Sequence, residues 1–471
     1  GSDYFRERAN DLQDVRDRLV RNLRRGKLLS AIEYNAIVIA ETLTAADIVL
    51  FSRRNILGCA TDFGGPTSHV SIMARGLGVP AVVSMHGVTD LVNSGDTIIL
   101  DGFNGRLIIN PTEETLAGYR RLQERFENLL LDEKQLVPLE AKTLDGHEIT
   151  LQANLEFREE VELVEEYGGE GIGLFRTEFL FLMRGFDDYS EEEQFETYKE
   201  IVEKMHPYHT TFRLLDLGGD KMLPMGHREH NPFLGWRGVR ILLDKPELLQ
   251  PQLRAILRAS AFGAVKILVP MVSSLGEVRR LKEALATAMQ SLDEAGQLYD
   301  AEVPLGIMVE VPAVALMAEH FAAEVDFFSI GTNDLTQYLL AVDRGNDMVA
   351  SRYHELDPAV LTLIRRVIEA GRAHQIPVNI CGEIASNPLA TALLIGLGID
   401  SLSATPTFLP EIKRVVRSMR RKDAESLANQ VVGIFDPRER KKTLMQWLKN
   451  HAADYYAFLM ESESSSLETI G

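Results

Sequence analysis

Between about residue 140 and residue 435 the sequence alternates short strand-like apolar runs with longer stretches of helical period, and this alternation restricts the fold more than any other feature. The strand candidates are EITLQANLE (148–156), GIGLFRTEF (171–179), TFRLLDLGG (211–219), GVRILLD (238–244), VKILVPMV (265–272), PLGIMVEVP (304–312), VDFFSIGTND (325–334) and PVNICGEIA (377–385). Eight such units in roughly 300 residues predict a (β/α)₈ barrel rather than an open sheet.

A smaller α/β unit precedes it. NAIVIAE (35–41) reads as a strand, TAADIVLF (44–51) as a helix and NILGCATDF (55–63) as a strand. The loop GGPTS, a short helix from Ser68 to about Leu77 and the strand PAVVSM follow. SGDTIILDGFNGRLIINP, with turn chemistry at Ser94-Gly95-Asp96 and Asn104-Gly105, predicts two strands joined by a tight turn. Upstream, Leu12, Val15, Leu19 and Leu23 mark one amphipathic helix over Asp3 to Arg25. From Thr112 to about Leu136 another stripe, Leu116, Tyr119, Leu122, Phe126 and Leu129, predicts a linking helix, whose ~25 residues would span on the order of 37 Å. The boundaries expected are 3–111, a helical linker 112–137, the barrel 138–435, and a tail 436–471 holding one helix and a disordered end.

Of the 471 residues, 45% are apolar and 25% charged, ordinary values for a globular protein. Lys plus Arg number 50 against 69 Asp plus Glu, a formal charge of −19, which repels nucleic-acid phosphates. No run approaches the ~18 apolar residues of a membrane span. Two cysteines, Cys59 and Cys381, make no disulfide framework, which suits a reducing cytoplasm.

A barrel carries its working groups at the C-terminal ends of its strands, and the polar residues of this sequence collect there. Arg176, Arg213, Glu310, Asn333, Asp334 and the Cys381-Gly382-Glu383 run close predicted strands, and Arg237, Arg240 and Arg344 lie beside or after those ends. Converging guanidinium groups suit a small ligand with two or three negative charges. Glu310 and Asp334 are placed to hold Mg²⁺ together with substrate oxygens. The plainer alternative is that these acids and arginines pair structurally. Cys381 is either a small buried hydrophobe or, given its neighbours, a proton donor; Cys59, with no such company, is core. His69, after a glycine pair at a predicted helix start, is either merely exposed beside an N-cap Ser68 or placed where a phosphate would be stabilised. LLDLGGDK lacks the ending of a P-loop, and its Lys221 could reach the barrel mouth instead.

Taken together, the runs GGPTSHVSIMARGLGVPA, GIGLFRTEFLF, LDLGGDK, NPFLGWRGVRI, RAILRASAFG, GIMVEVPA, VDFFSIGTNDLTQYLLAVDRGND and CGEIA resemble enzyme I of the bacterial phosphoenolpyruvate-dependent phosphotransferase system. The resemblance spans about Asp3 to Ile434. It implies a (β/α)₈ barrel that binds phosphoenolpyruvate and dimerises, and a mobile, swivelling α/β domain whose histidine is phosphorylated. It also implies a Mg²⁺-dependent reaction that yields pyruvate and passes the phosphoryl group to the carrier protein HPr in the cytoplasm. On that pattern the phosphorylated histidine is His69, the metal ligands are Glu310 and Asp334, and the proton donor is Cys381. The substrate-binding positions are Arg176, Arg213, Lys221, Arg237, Asn333 and Arg344.

Two departures mark the histidine motif, usually GGRTSHTSIM: Pro66 replaces Arg and Val70 replaces Thr. The loss of a hydroxyl at Val70 would alter phosphohistidine stability. Gly1-Ser2 reads as an expression remnant, and only 68 residues precede His69. A truncated HPr-docking subdomain and impaired docking are therefore expected. The nearest rival, a phosphoenolpyruvate synthase or pyruvate phosphate dikinase, would require an ATP-grasp domain. A regulatory phosphoenolpyruvate sensor would need neither Cys381 nor His69, and a barrel lyase acting on pyruvate enolates would leave His69 idle.

Overall fold

The structure, a computed structural model, describes residues 35–52, 56–64, 70, 71, 74, 78–184, 189–218, 229–344, 346 and 348–464. The predicted helix over 3–25, nearly all of that over 68–77, His69 and Lys221 lie outside these residues. The chain divides into two compact units between Arg120 and Arg121, within the helix Glu113–Leu136.

In the first unit β1 (Ile37–Ala40), β2 (Gly58–Thr61) and β3 (Ala81–Val82) form a parallel sheet in that order, and β4 (Ile98–Asp101) pairs antiparallel with β5 (Arg106–Ile109). Gly105, at φ 62°, makes the tight turn of this hairpin. Its Asp101 accepts from the Phe103 and Asn104 N–H groups at 3.1 and 3.0 Å, and from the Tyr119 hydroxyl at 3.2 Å. Cys59 is buried in β2, where desolvation pushes its thiol up to about 11, in keeping with a core role.

The second unit is a closed barrel of eight parallel strands. They are β6 (Thr150–Leu155), β7 (Ile172–Arg176), β8 (Thr210–Arg213), β9 (Val265–Val269), β10 (Leu305–Val309), β11 (Phe327–Ile330), β12 (Val378–Ile380) and β13 (Ser401–Ala404). They follow one another around the barrel in chain order, and β13 closes on β6 with Ser401 opposite Thr150. Helices begin where the sequence supplies caps. Ser190 accepts from the Glu193 N–H at 3.3 Å while Glu193 accepts from the Ser190 N–H at 3.1 Å, and Ser274 and Glu277 repeat this box. Asp357 and Asn387 each cap a helix whose first residue is proline.

Eight strands were expected and eight are found, but one member differs. GVRILLD is the helix Val239–Asp244, which buries Val239, Ile241 and Leu242. A short apolar run does not by its pattern distinguish a strand from a buried helix. The eighth strand is β13, sequence SLSA, whose alternation is only four residues long and has just Leu402 and Ala404 on its apolar face, while its serines meet polar partners. Ser401 donates to Asn379 Oδ1 at 3.1 Å and Ser403 to Asn154 Oδ1 at 2.6 Å. Beyond Asp436 the described residues form two helices, Pro437–His451 and Ala453–Ser464, rather than one. The second carries the start of the predicted disordered end, MESES, as helix.

The main core lies between strands and surrounding helices, and includes Leu151, Phe175, Ile267, Val309, Ile364 and Leu393. Leu174, Leu268, Met308, Phe327 and Cys381 form a separate cluster. A Cβ on Gly306 would stand 2.5 Å from the Phe327 ring, so glycine makes room for that aromatic side chain.

Candidate active site

Most of the barrel strands end earlier than the sequence suggests, and the residues beyond them form the mouth. Arg176 and Arg213 close β7 and β8; Glu310 follows β10 and Cys381 follows β12. Asn333 and Asp334 occupy the first turn of the helix Thr332–Leu340, just past β11. Arg237 precedes the helix Val239–Asp244.

The strand-end acids and arginines meet. Arg213 Nη2 lies 2.7 Å from Glu178 Oε1 and its Nη1 3.5 Å from Asp216 Oδ2. Arg237 Nη2 lies 3.0 Å from Asp216 Oδ2 and 2.6 Å from Asp334 Oδ2, while its Nη1 donates to the Tyr338 hydroxyl at 3.0 Å. Arg176 pairs with Glu156. Burial works against the charge on all three arginines, but the surrounding acids outweigh it and raise their pKa values. Glu310 accepts from the Met271 N–H at 2.5 Å. Burial pushes the Glu310 carboxyl up, and the charges of Asp334 and Asp216 push it further.

Several buried polar atoms at this mouth are left over, and two of them have complementary roles, one a donor and one an acceptor. Arg213 Nε and Asp334 Oδ1 have no hydrogen-bond partner among the described residues. A buried carboxylate oxygen without a donor, beside a second acid whose charge is disfavoured, fits a divalent cation. Among the described residues no group of three or more His, Cys, Asp or Glu could hold a metal alone. Two carboxylates such as Glu310 and Asp334 would suit Mg²⁺, which keeps several waters and takes substrate oxygens as further ligands.

Cys381 is buried, its Sγ 3.7 Å from the Ile330 carbonyl oxygen. Desolvation pushes its thiol up to about 11, so it holds its proton at neutral pH. Asn333 pairs with Glu383. Arg344 donates its backbone N–H to Gln337 Oε1 at 3.2 Å, and its guanidinium charge acts on Glu355 and Tyr353. Arg240 holds the 234–235 carbonyls, at 3.3 and 2.8 Å, and belongs to the loop. Glu178 and Asp216 were not singled out from sequence, although both stand inside quoted motifs. The sequence offered only proximity, since these are the acids nearest to Arg176 and Arg213 in the chain, and proximity gains meaning once burial shows that the arginines need partners.

The description "PEP-utilising enzyme, PEP-binding domain" matches residues 131–421, and "PEP-utilising enzyme, mobile domain" matches residues 32–105. The chain is 44% identical over 431 residues to the phosphoenolpyruvate-protein phosphotransferase of Haemophilus influenzae, covering 91% of this chain and 75% of that one. The chain belongs to the enzyme I family. Its similarity extends to the phosphoenolpyruvate-protein phosphotransferase of Staphylococcus carnosus, 41% identical over 95% of this chain and 79% of that one. For the same enzyme of Bacillus subtilis the figures are 39%, 93% and 77%. Enzyme I membership thus accounts for both the barrel and the smaller unit before it. No helix among the described residues is long and apolar enough to cross a membrane.

Proposed function

We propose that this chain is a phosphoenolpyruvate-protein phosphotransferase, which phosphorylates its own His69 from phosphoenolpyruvate, releases pyruvate and serves a cytoplasmic HPr-type carrier. The observation that carries this reading is the barrel mouth itself, where a buried donor, Arg213 Nε, and buried acceptors including Asp334 Oδ1 lack partners among the described residues. A ligand that is at once an anion and a partner for a cation completes both, and phosphoenolpyruvate with Mg²⁺ is such a ligand.

Glu310 and Asp334 would hold Mg²⁺, which supplies positive charge against the phosphate and carboxylate oxygens. Arg176, Arg213, Lys221, Arg237 and Arg344 bind and orient the anionic groups, and the Asn333 amide donates to them. Phosphoryl transfer is chiefly a problem of position and charge, and fixed guanidinium groups address both. The neutral His69 imidazole takes the phosphoryl group: the bond from phosphorus to the enol oxygen breaks as the bond to nitrogen forms. Cys381 then gives its proton to the enolate carbon, producing pyruvate. A thiol held protonated by burial is suited to that step.

We assign the phosphohistidine domain to 3–111, the linker to 112–137 and the barrel to 138–435, with dimerisation through the barrel. The reading is tested with a lactate dehydrogenase-coupled assay. A stoichiometric burst of pyruvate should appear with phosphoenolpyruvate and Mg²⁺, and HPr with an acceptor for its phosphoryl group should prolong it only weakly, since docking is expected to be impaired. A chain that binds phosphoenolpyruvate with Mg²⁺ but gives no burst contradicts it.

A further inference from the structure

Asn333 and Glu383 hold each other by two hydrogen bonds. Asn333 Nδ2 donates to Glu383 Oε1 at 3.0 Å, and the Glu383 backbone N–H donates to Asn333 Oδ1 at 2.8 Å. A backbone N–H can only donate, so the atom facing it is the amide oxygen, and the pair fixes which way the amide is turned. The Tyr353 hydroxyl donates to the Asn333 carbonyl oxygen at 3.0 Å and ties down the backbone as well. Gly382 permits the approach. A Cβ there would stand 1.8 Å from Thr332 Oγ1 and 2.7 Å from the Thr332 nitrogen, so the segment carrying Glu383 lies directly against the helix start that carries Asn333.

An amide side chain offers two N–H donors and one acceptor oxygen. Glu383 takes the oxygen and one donor, which leaves a single N–H for a ligand. A carboxylate or phosphate oxygen only accepts, so this orientation presents what such a ligand needs and turns away the carbonyl oxygen that would repel it. The Glu383 charge also acts on Arg176, which closes β7 at the same mouth.

Resting on the reading that phosphoenolpyruvate binds at this mouth, we infer that Glu383 is a positioning residue, which locks the Asn333 amide with its donor edge toward the anionic substrate. Glu383 need not touch the substrate. Its contribution passes mainly through Asn333, its charge being the smallest of the influences on Arg176, and removing Asn333 should therefore leave Glu383 little effect on binding.

The test is titration calorimetry of the full chain with phosphoenolpyruvate and Mg²⁺, in a His69→Ala background so that no phosphoryl group is transferred. Glu383→Ala should weaken binding about tenfold, the scale of one charge-assisted hydrogen bond. Glu383→Gln keeps an acceptor oxygen and should recover affinity to within about threefold of the background chain. In chains that also carry Asn333→Ala, Glu383→Ala should change affinity by less than about twofold. Unchanged affinity in Glu383→Ala, or an equal loss with and without Asn333, overturns the inference while leaving the functional reading intact. No binding by the His69→Ala chain itself overturns both.

Discussion

Arg237 Nη2 stands 2.6 Å from Asp334 Oδ2, and that contact occupies one oxygen of a carboxylate whose other oxygen has no partner among the described residues. The same guanidinium reaches Asp216 at 3.0 Å. Arg237 thus balances two buried acids and leaves Asp334 one oxygen for the cation proposed above.

Removing that guanidinium takes from Asp334 its ion-pair partner and from Asp216 one of its partners. Arg237→Met should destabilise the barrel by about 3–5 kcal/mol, the cost of breaking one side of a buried ion pair. The denaturant midpoint reads this directly. Added Mg²⁺ should restore part of the loss, because it gives the stranded Asp334 another partner. A midpoint unchanged by the substitution would mean that Arg237 does not balance these acids.

Glu160 gives a pH-dependent prediction. It accepts from the Glu156 and Phe157 N–H groups at 2.9 and 3.0 Å, both through Oε2. Burial nevertheless raises its carboxyl from 4.5 to about 7, against the lowering effect of those two hydrogen bonds. Between these values the folded chain binds the proton more tightly than the unfolded chain, so stability falls as pH rises from 4.5 to 7 and is level above. Glu160→Gln keeps an acceptor oxygen and carries no charge. At pH 8 it should be more stable than the unsubstituted chain by on the order of 3 kcal/mol, a gain that disappears below about pH 4.5. Thermal melts at both pH values check this, and a gain that grows as pH falls would contradict it.

Cys381, raised from 9.0 to about 11 by burial, should resist alkylation. That shift alone leaves about a hundredfold less thiolate at pH 8 than an ordinary cysteine has. Iodoacetamide labelling followed by mass spectrometry should show slow modification in the folded chain and rapid modification in denaturant. Cys381→Ala should slow pyruvate formation by about 10²–10⁴-fold, the range for loss of a general acid, with a smaller effect on phosphoenolpyruvate binding. If rate and affinity fall together, the proton-donor assignment is wrong.

Gly382→Ala would place a Cβ 1.8 Å from Thr332 Oγ1 and 2.7 Å from the Thr332 nitrogen. The expected cost is about 1–3 kcal/mol, with weakened phosphoenolpyruvate binding because Cys381 and Glu383 flank the displaced residue. Adding Thr332→Ala removes the hydroxyl clash but not the backbone one. Stability measured for the double variant should therefore recover only in part, and full recovery would show that the backbone approach does not matter.

The barrel was legible because eight alternating units leave few other folds, yet its membership was not read correctly from pattern alone. GVRILLD looks like a strand because Val239, Ile241 and Leu242 are all apolar, and a helix buries that set equally well. SLSA alternates for only four residues, with Leu402 and Ala404 as its whole apolar face and Ser401 and Ser403 given to hydrogen bonds, too short a pattern to stand out. At the mouth, strand-end position was enough to point to Arg213, Glu310, Asp334 and Cys381. The acids that neutralise the arginines, Glu178 and Asp216, become visible only when burial shows that Arg213 and Arg237 need partners.

The phosphoryl acceptor is the centre of this account, and its most direct test uses ³²P-labelled phosphoenolpyruvate with Mg²⁺ on the full chain and on His69→Ala. The account predicts acid-labile, alkali-stable label on the full chain, pyruvate released in equal amount, and no label on His69→Ala although it still binds phosphoenolpyruvate. Label that persists in His69→Ala, or pyruvate released with no label on the full chain, would contradict it.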